Sequence, residues 1–265
     1  MVIGIIIFVA FGYFIFVDNG NPQSEGDDST YVLPLGDDFN TALASRDDLG
    51  ISVVIAVDVS GSMSGSPAAG GEAKYIQATK ALDEVFSVLN RLIKESPKEQ
   101  VIKVGMVKFS SEVETVLPMT VVTQKALGKI KALASNPRTW TPDGATAIGS
   151  ALEEGVKMLS QSGTILRSLI IVTDGENTEG VEPPQVLSAI YANKNDKSTQ
   201  DFPVSTNSTL ISFIGFDVDS GYFDSFKSYG ARVTSASNQA QLAASLSTLL
   251  EADITKLEAP ELGGL

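Results

Sequence analysis

A doubly wound α/β fold, a mostly parallel sheet covered by helices on both faces, is what this sequence predicts. Three observations carry the prediction. Ile51–Val57 is an almost unbroken apolar, largely β-branched run that breaks into small, oxygen-bearing residues, as a strand buried on both faces does when it opens into a loop. Further strands are expected at Val101–Phe109, Ile165–Val172 and Thr209–Phe216. Between them lie stretches with apolar residues at helical spacing, and strands alternating with helices build parallel sheets.

Residues 2–17 carry no charge and little polarity. As a helix this run is roughly 24 Å long at about 1.5 Å per residue, slightly short for a bilayer, and its flanks can make up the difference. A cleaved signal peptide wants a basic leading region and a small-x-small site; only Met1 precedes the run, and Val17-Asp18-Asn19 is a poor cleavage site. The expectation is an uncleaved transmembrane anchor over residues 1–18. The near flanks hold no Lys or Arg, the first being Arg46, so the rule that reads orientation from basic residues has nothing to count. An extracytoplasmic domain is expected because an N-terminal apolar segment commonly acts as a signal-anchor.

Residues 19–49 read as an acidic linker. Together with Asp18 just before it, Glu25, Asp27, Asp28, Asp37, Asp38, Asp47 and Asp48 face only Arg46, and Gly, Pro, Asn and Ser fill much of the rest, the composition of a solvated spacer. Tyr31–Leu35 is a short apolar island, expected either to add an edge strand or to dock on the domain. The folded domain is expected over 50–256. Glu72–Lys94 carries Leu82, Phe86, Leu89 and Ile93 at helical spacing. Val113–Leu117 follows Val101–Phe109 after only Ser110-Ser111-Glu112, and so short a link forces an antiparallel pair. Helices are expected at Thr123–Ala134, 146–160 and 183–193, a polar surface excursion at Asn195–Asn207, a short helix at Gly221–Ser228 and a short edge strand at Arg232-Val233. Gln239–Leu257 closes the fold as a helix with Leu242, Leu246, Leu249, Leu250 and Ile254, and 257–265 is a tail.

Composition removes several functions. The 265 residues carry a net charge of −13, which argues against a nucleic-acid partner, since phosphate binding needs basic surface. The chain has no Cys and no His. That excludes a zinc site of the usual kind and any Ser-His-Asp or Cys-His nucleophile. A metal bound here must be a hard cation held by oxygen.

The residues suited to such a cation sit at strand ends, where open α/β sheets bind ligands. Asp58, Ser60 and Ser62 stand at alternate positions after the first buried strand. Asp143-Gly144-Ala145-Thr146 precedes a helix, and Thr173-Asp174-Gly175-Glu176 ends a later strand. Taken singly, each is more often turn or cap chemistry. Taken together and in this order they resemble the von Willebrand factor A domain, whose metal-ion-dependent adhesion site uses Asp-x-Ser-x-Ser, a threonine from a second loop and an aspartate from a third. The resemblance covers about residues 50–256. It implies six strands, one of them a short antiparallel edge strand. It also implies a Mg²⁺ site, with Mn²⁺ or Ca²⁺ as alternatives, built from Asp58, Ser60, Ser62, Thr146 and Asp174.

In that family the hydroxyls ligate directly and the aspartates act largely through water, so the ion stays under-neutralised and attracts an acidic residue from a protein partner. The expected function is therefore non-enzymatic: a membrane-anchored module for adhesion or complex assembly. The alternative is an accessory subunit of a MoxR-type AAA+ ATPase or of a surface or secretion assembly. A phosphatase of the haloacid dehalogenase type wants Asp-x-Asp, and here the third position is Ser60. Arg138 and Trp140, in a Pro-bounded loop before Thr146, and Glu176, beside Asp174, are candidates for the partner-binding rim. Asp143 is expected to be a loop or capping residue. Asp217 and Asp219 also lie at a strand's carboxyl end and could line the site rim, with turn chemistry the favoured reading.

Overall fold

The computed structural model of this protein describes residues 50–95, 100–192, 209–218 and 220–255. One sheet contains β1 (Gly50–Asp58), β2 (Val101–Phe109), β3 (Val113–Val121), β4 (Leu166–Thr173), β5 (Thr209–Phe216) and β6 (Arg232–Ala236), in the spatial order β3-β2-β1-β4-β5-β6. All neighbours are parallel except β3, which runs antiparallel to β2 along the edge. The α-helices are α1 (Lys74–Glu95), α2 (Gln124–Ala134), α3 (Ile148–Ser160), α4 (Pro183–Ala192) and α5 (Gln239–Thr255).

The central strand β1 explains the layering. Successive side chains of a strand point to opposite faces. Ile51, Val53, Ile55 and Val57 enter one core, with Leu82, Phe86 and Leu89 of α1, Leu127 of α2 and Leu246 of α5. Val54 and Ala56 enter the other, with Leu152 and Val156 of α3 and Leu187 and Ile190 of α4. Every residue of β1 is buried, so its apolar run serves two cores at once.

Several boundaries differ from the sequence expectation, the last strand running on from Arg232-Val233 to Ala236 among them, and three of the differences bear on the fold. The antiparallel edge strand runs on past Leu117 to Val121, through Pro118, and its pairing with β2 shifts register on either side of Met106; an edge strand tolerates a proline because its outward side needs no donor. The segment at Gly221–Ser228 is a 3₁₀ helix over Ser220–Tyr229. Helix α3 begins at Ile148, not at 146, and its N-cap Ala147 has no capping side chain. The cap comes from another loop: Asn177 Oδ1 accepts from the Ile148 amide at 2.8 Å. The expected anchor at 2–17, the linker to 49, the excursion at 195–207, Asp219 and the tail lie outside the described residues. Among the described residues no helix is long and apolar enough to cross a membrane.

Two helical glycines make opposite predictions. A Cβ on Gly149, in the first turn of α3, would stand 1.8 Å from the Val181 carbonyl oxygen, whereas one on Gly128 in α2 would meet nothing within 4 Å. Gly149→Ala should therefore lose about 1–3 kcal/mol through overpacking against backbone. Gly128→Ala should gain up to about 1 kcal/mol from helix propensity. Urea unfolding monitored by circular dichroism measures both, and equal effects of the two substitutions would contradict the close approach of α3 to residue 181.

Candidate functional site

The strand order reverses between β1 and β4, and the crevice beyond the carboxyl ends of such strands is where doubly wound sheets take ligands. Backbone hydrogen bonds stitch three loops together there. The Gly61 amide donates to the Gly144 carbonyl at 3.0 Å and the Asp143 amide to the Val59 carbonyl at 2.7 Å. The Thr178 amide donates to the Thr146 carbonyl at 2.8 Å, and the Thr146 amide donates to the Thr178 hydroxyl at 2.9 Å. Gly144 takes φ +76 in this contact, a backbone conformation that glycine adopts without penalty. The stitching brings the loops of Asp58, Thr146 and Asp174 to one place although they are far apart in sequence.

Asp58 is fully buried. Its Oδ1 accepts from the Ser60 amide at 2.7 Å and its Oδ2 from the Thr173 hydroxyl at 2.6 Å. Burial pushes the Asp58 carboxyl up to about 6. The hydrogen bonds from Ser60 and Thr173 work against the rise, and the nearby charge of Asp174 adds to it. Desolvation wins because two or three hydrogen bonds only partly replace the hydration of a carboxylate. The Ser60 and Ser62 hydroxyls are 2.9 Å apart, and the Ser62 hydroxyl donates to Asp174 Oδ1 at 2.8 Å. Asp174 Oδ2 accepts from Lys74 Nζ at 2.6 Å.

Two hydroxyls that would ordinarily cap helices do not do so here. Ser60 occupies the N-cap of the short 3₁₀ helix Gly61–Ser64, yet its side chain makes no capping bond. Thr146 is nearly buried and is not the N-cap of α3; among the described residues its hydroxyl has no hydrogen-bond partner.

The donor set fits a small hard cation. Magnesium takes oxygens at about 2.1 Å in an octahedron, so neighbouring ligand oxygens stand roughly 3.0 Å apart. The Ser60–Ser62 and Ser62–Asp174 separations of 2.9 and 2.8 Å are close to that edge, so these oxygens need little movement to exchange hydrogen bonds for coordination. Among the described residues no three His, Cys, Asp or Glu side chains converge as a metal group. The site offers two carboxylates among hydroxyls, a donor set low in charge.

Of the expected rim, Arg138 and Glu176 are exposed. Trp140 is a correction. It is 1% exposed, packs in the core with α1, α2 and α5, and donates from Nε1 to the Ala134 carbonyl at 2.8 Å. The expectation rested on the enrichment of Trp at interfaces, but the 3₁₀ turn Pro137–Trp140 aims this ring inward. Sequence reading missed three residues. Thr173 holds Asp58, and its place at the end of an apolar strand was the signal available. Asn177 caps α3 and Lys74 meets Asp174, and neither pairing has a local sequence signal. Asp217, expected in a turn, also reaches this region: its Oδ2 lies 3.7 Å from Lys74 Nζ.

Residues 53–176 match the family model described as von Willebrand factor type A domain, a stretch that contains Asp58, Ser60, Ser62, Thr146 and Asp174. No curated protein matches the sequence. Among solved structures the chain is similar to a von Willebrand factor type A protein from Catenulispora acidiphila, at 15% identity and TM-score 0.57 over 78% of this chain and 43% of that one. It is similar to the PilB minor pilin from Streptococcus sanguinis, at 16% and 0.59 over 82% of this chain and 64% of that one. An aerotolerance-related membrane protein from Bacteroides fragilis matches at 18% and 0.51, over 78% of this chain and all of that one. This chain thus spans less than two thirds of the first two proteins. At such identities the likeness is one of fold.

The raised Asp58 carboxyl has a pH signature. The folded state binds the proton more tightly than the unfolded chain, whose value is 3.8. Without metal, Asp58 therefore subtracts stability as pH rises from about 4 to 6, and below that range it costs nothing. Asp58→Asn removes the dependence. In EDTA, the stability of Asp58→Asn relative to the parent should climb across this interval by up to about 3 kcal/mol and level off above it. A difference that stays flat with pH would mean that Asp58 is hydrated in solution.

Proposed function

We propose that this chain, whose residues 53–176 match the von Willebrand factor type A model, is a non-enzymatic binding module of that family that captures a protein partner through a divalent cation. Mg²⁺ is the first choice, with Mn²⁺ and Ca²⁺ as alternatives, and Asp58, Ser60, Ser62, Thr146 and Asp174 hold it. One observation carries the reading: at the strand-order reversal, Ser60 and Thr146 present hydroxyls that cap no helix, Thr146 lacks any hydrogen-bond partner among the described residues, and both stand in loops stitched to those of the two carboxylates.

A bound cation would supply the positive charge that attracts an acidic group of the partner. The chain's own part is positioning. The Ser60 amide and Thr173 hydroxyl fix the Asp58 carboxylate from two sides. The loop contacts at Gly61 and Asp143 keep the threonine loop against the serine loop. Arg138 and Glu176, both exposed, form the rim that contacts the partner beyond the ion. The absence of His and Cys leaves no ordinary nucleophile–base pair, which supports binding over catalysis.

The same reading places the domain outside the cytoplasm, tethered by residues 2–17 and held off the membrane by the acidic spacer. Pilin and membrane-protein neighbours of the same fold are consistent with an adhesive role or with assembly of a membrane complex. Both roles use the same site chemistry with different partners.

Calorimetry on the full chain tests the site. Ser60→Ala with Ser62→Ala should abolish Mg²⁺ binding, and Thr146→Ala should weaken it by about tenfold or more. Glu176→Ala should leave metal affinity unchanged, with the circular dichroism spectrum preserved throughout. Capture of a partner should fail in EDTA. If the triple loss of Ser60, Ser62 and Thr146 hydroxyls leaves Mg²⁺ affinity intact, the cation site is elsewhere and the reading is wrong.

A further inference from the structure

Lys74 stands where helix chemistry does not want it. It is the first residue of α1, whose first turn holds no acidic residue, and a cation at a helix N-terminus is opposed by the macrodipole. Its amide donates to the Gly65 carbonyl at 2.8 Å, which pins the helix start to the end of the Asp58–Ser62 loop. The ammonium lies 2.6 Å from Asp174 Oδ2 and 3.7 Å from Asp217 Oδ2, with the three side chains 12, 0 and 14% exposed. It is thus a nearly buried cation bridging the ends of β4 and β5.

Asp217 is built to receive it. It has φ 60, the one positive φ outside glycine among the described residues, a conformation that costs free energy and persists only where the surroundings impose it. Its carboxylate oxygens accept from the Ala68 amide at 2.9 and 3.1 Å, and its amide donates to the Ala236 carbonyl at 2.7 Å. The loop between Gly65 and α1, the end of β5 and the end of β6 therefore converge to hold one ammonium against Asp174.

We propose that Lys74 is a resident counter-ion of the metal site: it neutralises Asp174 and competes with the divalent cation for that carboxylate. This rests on the metal-binding reading above and names what regulates that site. With Lys74 in place Asp58, Asp174 and the neighbouring Asp217 present a net charge of −2 to the cation instead of −3. Metal is therefore held weakly by the chain alone, and an external carboxylate has more to contribute. Removing the ammonium strengthens the field of Asp174 on the cation and frees its Oδ2.

The sign of the effect separates this role from a structural one. If Lys74 only shaped Asp174, its loss would weaken metal binding. As a competitor, its loss tightens binding. The test titrates MnCl₂ and MgCl₂ into the full chain, comparing the parent with Lys74→Met, Lys74→Gln, Lys74→Arg and Lys80→Met. Lys80 is a control of equal charge change: it is half exposed and pairs with Glu72, away from the site. Lys74→Met and Lys74→Gln should bind Mn²⁺ about tenfold more tightly or better, as expected for deleting a unit charge at close range in a medium of intermediate dielectric. Lys74→Arg and Lys80→Met should match the parent.

Thermal unfolding gives a second readout. In EDTA the neutral variants should melt below the parent, because Asp174 and Asp217 lose their cation, and saturating Mn²⁺ should raise their Tm by more than it raises the parent's. Parent binding with equal or weaker affinity in both neutral variants overturns the counter-ion and leaves the metal site standing. Absence of Mn²⁺ and Mg²⁺ binding by the parent overturns both.

Discussion

The carboxylate of Asp58, fully buried at the end of the central strand, constrains everything built around it. Stripping a carboxylate of water costs several kcal/mol unless partners replace it, and each hydrogen bond to a charged group returns about 1.5–3 kcal/mol. Two such bonds come from the Ser60 amide and the Thr173 hydroxyl, one from the chain just after β1 and the other from the neighbouring strand β4. Satisfying Asp58 therefore requires β1 and β4 to end side by side in register, as their parallel pairing makes them do. The balance still leaves the carboxyl raised to about 6, so the group is held in place without being fully compensated. A buried, under-compensated anion is well disposed towards a cation.

Around this carboxylate the molecule divides its labour. The two apolar cores fix the strand ends, and backbone hydrogen bonds between loops set the spacing of the hydroxyls. Side-chain charge is used sparingly: the buried Asp174 is shared between the Ser62 hydroxyl and the Lys74 ammonium. Neutral oxygens next to one deep carboxylate leave a hard cation hungry for a further anion, and this is the physical basis for reading the crevice as a capture site. The net charge of −13 opposes an acidic partner only within a screening length of about 8 Å, inside which direct coordination takes over.

What the sequence determined by itself was whatever depends on local periodicity and on residue type. The apolar runs at Ile51–Val57 and Thr209–Phe216 named two of the parallel strands, because burial on both faces leaves no alternation to misread. The three-residue link at Ser110–Glu112 forced the antiparallel edge. Asp58, Ser60, Ser62, Thr146 and Asp174 each read singly as turn or cap residues; it was their order at strand ends, resembling the von Willebrand factor A pattern, that singled them out as a set. Tertiary structure alone decided what depends on contacts between distant segments. Trp140 turned inward to the Ala134 carbonyl, and Asn177 capped a helix that begins far earlier in the chain. Lys74 crossed from the start of α1 to Asp174 and Asp217. A lysine at a helix start and an aspartate after a strand carry no mark of one another in sequence, since their pairing exists only once β1, β4 and β5 lie side by side and bring their carboxyl ends to the same crevice.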